Sequence, residues 1–345
     1  MMSYVGLNMI GRLGVGTIMH FMVDMICAMS LIHKAGFCGL FVYNMLAFGL
    51  QSIIGYYLDI KGNKYYGAYG AILVGVSAIF SIFKAPIVLL IVFLGFGNAL
   101  FHVGVALDVI EESHYKIGDL GILISSGALG LALGKVLIID WLKLVSGCLL
   151  IGASILYINL GKKSTQEDSK SSYNIHNKRF SITTVVLFIF IGVCLRAVVG
   201  AISPVSDLNC GKYTGVLVAF FVMSGKAVGG VLADRYGARK VGDLSLLLAA
   251  AFYLLDIYFR NWLILLALFC FNIIMSIATA TIISSLPEYK GVAFGVTTLG
   301  LVLGTYGTIL FINTKYELIV CAVISLLAMF LNHIAAKSDM ETRVE

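Results

Sequence analysis

Ionisable and amide side chains recur in the middle of long apolar runs: His20, Asp24, Gln51, Asn98, His102, Arg196 and Lys226. A charge at the centre of a hydrocarbon layer costs about 2.5–3.5 kcal/mol on insertion scales, so each such group is a functional hypothesis first. His20 and Asp24 are four residues apart and share one helix face. His102 lies in a run of opposite direction, at a depth matching His20 if each residue rises 1.5 Å. Asp24 and Asn98 match in the same way one turn deeper. Gln51 stands eight residues before Asp59, and Lys226 stands eight before Asp234, which makes them equivalent positions. Arg196 is mid-run, and Asn272, Ser276 and Thr279 add neutral donors on the tenth run. Histidine changes charge near neutral pH, so His20, Asp24 and His102 form the candidate proton-coupling site. Gln51, Asn98, Arg196, Lys226 and Asn272 are the candidate substrate ligands. The two cations suit an anionic group on a substrate, or serve as counter-ions to Asp24 and Asp108. Asp108, Glu111 and Glu112 close the fourth run and read as solvated.

The elements that must carry these groups are membrane helices. The 345-residue chain is 60% hydrophobic and 12% charged, with a mean hydropathy of +0.98. A soluble domain is about one-quarter charged, so lipid must be the solvent here. About 20 apolar residues cross the hydrocarbon. Twelve candidate spans fall at roughly 13–33, 37–58, 66–83, 87–110, 118–139, 143–160, 182–203, 213–233, 242–258, 262–284, 291–312 and 316–336, with ends good to about 2–4 residues. With the N-terminus placed in the cytoplasm, fifteen Lys and Arg face inward and six outward, which puts both termini inside. The net charge of +6 follows from that bias and needs no nucleic acid. The first run has no small-residue cleavage site and reads as a span rather than a signal peptide.

The chain repeats itself. Gly55 to Lys64 and Gly230 to Arg239 both read Gly-x-x-x-Asp-x-x-Gly-x-Lys/Arg, 175 positions apart. Leu129-Gly130 to Gly134 returns as Leu299-Gly300 to Gly304, offset by 170. Two related six-span bundles are therefore expected, at 1–160 and 182–336, joined by a polar linker at 161–181 and followed by a tail at 337–345. Duplicated membrane bundles of this kind move small solutes by rocking one half against the other around a midplane site. Gly127, Gly130 and Gly134, and Gly300, Gly304 and Gly307, lie on one face of their spans, where small residues let helices approach closely in lipid. They read as packing positions or as a sliding interface. Asp59 and Asp234 sit where a carboxylate can accept from the first amides of a neighbouring helix. The start of span eleven, after Pro287, suits Asp59.

The Gly230 to Arg239 text, with its Asp234-Arg235 pair, resembles the loop after spans two and eight of the major facilitator superfamily. His20-Phe21-Met22-Val23-Asp24, Gln51 to Asp59 with its Gly55-Tyr56, and Phe101-His102 are similar to motifs of that superfamily's fosmidomycin-resistance branch. Ile60 replaces the usual Arg in the first loop copy, and Val103 replaces the branch's Pro. The resemblance implies an all-α fold of about twelve spans in two pseudo-symmetric bundles. It also implies a gating role for Gly55, Asp59, Gly230, Asp234, Arg235 and Arg239, a latch holding the outward-open state.

The expected function is a monomeric carrier of the inner or plasma membrane, exporting a small organic solute in exchange for protons. Import of an organic anion by symport or facilitated diffusion is the alternative, and a transport-inactive sensor or assembly protein is the alternative of another class. No enzyme is expected, since neither His-Glu-x-x-His nor Gly-x-Ser-x-Gly occurs. No Gly-x-x-x-x-Gly-Lys-Ser/Thr loop points to an ATP-driven pump. The seven cysteines lack metal-ligand spacing, so no metal and no cofactor is expected.

Overall fold

The computed structural model describes residues 4–63, 65–161, 173–259, 262–308 and 316–337, without the side chains of 4–9, 206 and 207. The linker charges Lys162, Lys163 and Lys170, the tail beyond Lys337, and Lys64, Arg260 and Lys315 lie outside the described residues. The described residues are helical, and their one β-bridge pairs His176 with Ala336.

Twelve helical segments follow in order: α1 (Tyr4–Leu31), α2 (Gly36–Lys61), α3 (Tyr66–Ile82), α4 (Ile87–Glu112), α5 (Ile117–Val136), α6 (Asp140–Gly161), α7 (Ile182–Ile202), α8 (Thr214–Tyr236), α9 (Ala238–Phe259), α10 (Leu263–Ser285), α11 (Lys290–Gly307) and α12 (Glu317–Ala335). Ten are long and apolar enough to cross a bilayer, while α3 is apolar but shorter. These are the expected spans, and the chain is a multi-pass membrane protein. The α2 segment contains a π-helical turn at Met45–Gly49, a local widening that sequence periodicity does not announce. The ends of α2 and α8 are set by glycine: Gly62 takes φ 81° and Gly237 takes φ 92°, which a side chain would resist.

Contacts group the chain into two compact units. One comprises residues 1–115, 126–171 and 289–295, and the other comprises 116–125, 172–288 and 296–345. The first turns of α5 and α11 are thereby grouped apart from the remainder of their own helices.

Within the first unit, backbone crosses backbone at glycines. A Cβ at Gly67 or Gly70 of α3 would meet the backbone of α4 at Val105 or Phe101. Along α5, a Cβ at Gly130 would strike the carbonyl of Phe21 and one at Gly134 that of Met25, so α5 lies directly on α1. The second unit repeats this with α11 on α7, where Gly304 faces the Cys194 carbonyl and Gly300 faces Val193 and Phe190. Gly307 has nothing within 4 Å. The glycine stripes thus pack helices inside each unit, where apolar side chains alone gain nothing by leaving lipid.

Candidate functional site

The first unit buries a connected polar cluster where α1, α2, α4 and α5 meet. The i,i+4 spacing on α1 brings His20 Nε2 within 3.4 Å of Asp24 Oδ2. From α4, His102 Nε2 stands 2.8 Å from His20 Nε2 and 3.8 Å from Asp24 Oδ1. Asn98, one turn away, donates Nδ2 to Asp24 Oδ1 at 3.1 Å and to the Tyr43 hydroxyl at 3.2 Å. His20 and His102 are 6% and 8% exposed, and Asn98 is fully enclosed. A Cβ at Gly127 of α5 would collide with both the Asp24 carboxylate and the His20 ring.

Partner chemistry fixes the tautomer of His102. Its Nδ1 lies 2.9 Å from the Asn98 carbonyl oxygen, which can only accept. Nδ1 therefore carries hydrogen, and in the neutral ring Nε2 is the acceptor. His20 Nε2 then supplies the single proton between the two rings. A further proton makes one ring an imidazolium, with the Asp24 carboxylate beside it. The two histidine nitrogens and a carboxylate oxygen all lie within 4.8 Å of one another, a set that a metal ion could in principle use. Nitrogens at about 2.0–2.1 Å from a tetrahedral zinc would stand roughly 3.3 Å apart. The observed 2.8 Å is a shared-hydrogen distance instead.

Gln51 does not join the cluster. It is fully buried, and its Nε2 donates to the Ala47 carbonyl inside the π turn at 2.7 Å. In the second unit Arg196 Nη2 donates to Asn272 Oδ1 at 2.6 Å, and Asn272 Nδ2 returns to the Leu268 carbonyl. Lys226 Nζ reaches the Ile124 carbonyl at 3.4 Å. The structure therefore joins His20, Asp24, Asn98 and His102 in one network, joins Arg196 to Asn272 in another, and leaves Gln51 outside both.

The repeated loop forms the same contact in each unit. Asp59 accepts from the amides of Gly291 at 2.8 Å and Val292 at 3.0 Å, the first turn of α11. Asp234 accepts from Ile117 at 2.9 Å and Gly118 at 2.7 Å, the first turn of α5. The glycine four residues earlier explains the spacing. A Cβ at Gly55 would overlap Gly291, and one at Gly230 would overlap the Ile117 carbonyl. Glycine lets the helices cross, and Asp one turn later meets the unsatisfied amides of the crossed helix. Arg235 lies over the neighbouring Tyr236 ring, while Arg239 bonds His333, which in turn bonds Asp243. Neither arginine touches Asp234.

One expectation is overturned. Asp108 is not solvated: its side chain is 13% exposed. Arg12 donates to it at 2.6 Å, Asn63 at 2.8 Å and Tyr157 at 3.0 Å. Arg12 also pairs with Glu112 and stacks 4.3 Å above the Tyr157 ring. Arg12 is thus the counter-ion of Asp108. Glu111 is closer to the expectation, with its side chain 46% exposed and 3.3 Å from Lys290.

Sequence reasoning missed Tyr43, Asn63 and Tyr157, and read Gly127 as a packing or sliding position without its contact to the cluster. A lone tyrosine in an apolar run carries no signal until the chain is folded.

Two solved structures superimpose over nearly the whole chain. The E. coli fucose:proton symporter FucP matches with a TM-score of 0.68 at 12% identity, covering 96% of this chain and 100% of that one. The human organic anion transporter MFSD10 (TETRAN) matches with a TM-score of 0.69 at 12% identity, covering 93% and 99%. This chain has the major facilitator fold. No family model and no curated protein matches its sequence. The likeness to the fosmidomycin-resistance branch stays a sequence resemblance.

Proposed function

We propose that the chain is a secondary carrier that works by alternating access and exports a small organic solute in exchange for protons. The observation that carries this reading is the His20–His102–Asp24–Asn98 network. It is a titratable pair with a carboxylate beside it, held inside helices that cross lipid, where such groups are costly. One proton lies between two imidazoles, with an anion at hand beside a second, the arrangement that a proton-coupling site needs. The latches at Asp59 and Asp234 are the gating elements of this reading, and Gln51, Asn98, Arg196, Lys226 and Asn272 its solute ligands. The structural neighbours, one a proton symporter and one an organic anion transporter, support solute movement. The carrier acts as a monomer in the inner or plasma membrane, with both termini cytoplasmic, and performs no catalysis.

A second reading, uptake of an organic anion, is favoured by one observation: Arg196 is bonded to a neutral amide oxygen.

Vesicles containing the purified chain and a trapped pH indicator test the first reading. Addition of a transported solute from a panel of small organic acids, amines and sugars should move protons in the opposite direction. Asp24→Asn should abolish proton-driven accumulation and spare solute-for-solute exchange. Uphill transport by that variant at the unmodified rate would overturn the proton site.

A further inference from the structure

Two arginines lie within the spans, Arg12 buried and Arg196 half-buried, and the chain treats them differently. Arg12 faces the carboxylates of Asp108 and Glu112. Arg196 has no carboxylate within ion-pair distance among the described residues. Its hydrogen bond goes to the neutral Asn272 Oδ1, and its Nε is buried with no partner. A guanidinium presents five N–H donors in a planar fork and keeps its charge. A half-buried cation with an unfilled fork is less costly once an anion fills it.

The surroundings describe that anion. A cleft in the second unit is lined by α7, α10 and α12. Arg196 shares its walls with Phe188, Val193, Phe271, Ile274 and Met275. Asn332 is the other polar residue of the lining. Its Nδ2 is bound to Asp243, but its Oδ1 is buried without a partner. Apolar walls with few polar groups, each short of a bond, are the make-up of a small-molecule site.

We propose that this cleft receives a small organic monoanion, with its carboxylate or equivalent planar anionic group on the Arg196 fork and its hydrocarbon or ring against Phe188, Phe271, Ile274 and Met275. The inference rests on the transport reading and specifies its cargo. Arg196 is the charge receptor, Asn272 holds the guanidinium by one nitrogen, and the walls select against strongly hydrated ions.

The test is thermal unfolding of the purified full chain in detergent with four probes: hexanoate, benzoate, and the neutral hexanamide and benzamide. The two acids should raise the unfolding temperature and the two amides should not. Arg196→Gln should raise the half-saturating acid concentration at least about tenfold, since a charge-assisted pair is lost. Arg196→Lys, which keeps the charge but not the fork, should fall in between. Ala278→Phe, which fills the cleft and leaves Arg196 in place, guards against misfolding of the arginine variants and should also abolish the shift. Equal stabilisation of the unmodified and Arg196→Gln chains, or no difference between acids and amides, overturns the proposal. Proton release in vesicles without Arg196-dependent acid binding overturns this inference alone. Acid binding without proton release overturns the exchange reading and leaves the cleft assigned.

Discussion

Arginine 12 shows how a buried charge becomes structure. Its guanidinium lies between Asp108 and Glu112, above the Tyr157 ring, and Asp108 takes further bonds from Asn63 and Tyr157. Both oxygens of the carboxylate are used, so the desolvation cost of the ions is offset by bonds made only in the fold. Removing one partner strands the other. Arg12→Met or Asp108→Leu alone should therefore cost about 3–5 kcal/mol, and the double variant should cost clearly less than the sum. Thermal unfolding of the four chains in detergent measures this cycle, and additive losses would show that the two residues are not coupled. The partnership was not read in the sequence, because Asp108 closes its span, where a carboxylate reads as solvated. His20 and Asp24 were legible because helical spacing alone makes them neighbours. The depth match of His20 with His102, and of Asp24 with Asn98, was legible because antiparallel helices with a fixed rise leave little freedom in register.

Among the elements, the segment entering α7 shows a contact that composition hides. The stretch from Tyr173 to Phe180 reads as part of a polar linker, yet its described residues are clamped to the ends of α10 and α12. The amides of Ile175 and His176 both donate to Ser284 Oγ, Lys337 donates to the Ile175 carbonyl at 2.7 Å, and Asn177 donates to the Ala335 carbonyl at 2.8 Å. His176 Nδ1 lies 2.9 Å from the same Ser284 hydroxyl. Burial, and after it the charges of Lys178 and Lys337, lower the His176 pKa below its ordinary 6.5. The docked segment therefore binds a proton less readily than the released one. Its docking is fully stabilised above pH about 6.5 and loses stability as the pH falls below that value. Hydrogen exchange, corrected for intrinsic rates, should show weaker protection of the Ile175, His176, Asn177 and Lys337 amides at pH 5.5 than at pH 7.5. His176→Asn should flatten that dependence, and an unchanged slope would assign it to another group. Linker composition could not disclose this docking, since it depends on where Ser284 and Ala335 end their helices. The Gly-x-x-x-Asp loops were legible for the opposite reason: crossing point and amide acceptor are both written within five residues.

Across the whole molecule, the repeat supplies two copies of one device, and the carrier reading requires that they respond together. Each latch is a carboxylate taking two amides from the positive end of a helix dipole, a contact made only when the crossing helix is in place. Asparagine keeps the size but offers one accepting oxygen instead of two, so Asp59→Asn or Asp234→Asn should weaken its own latch by about 1–2 kcal/mol, roughly a tenfold shift toward the open form. If one concerted transition opens both latches, the coupling is reciprocal. Asp59→Asn should then speed exchange not only at its own amides, Gly291 and Val292, but also at Ile117 and Gly118, which it does not touch. Asp234→Asn should do the converse, and the double variant should approach a hundredfold shift, since distant effects add. Exchange confined to the local amides in both single variants would mean that the latches work independently, and a rocking carrier with a shared gate would then be the wrong description of this fold.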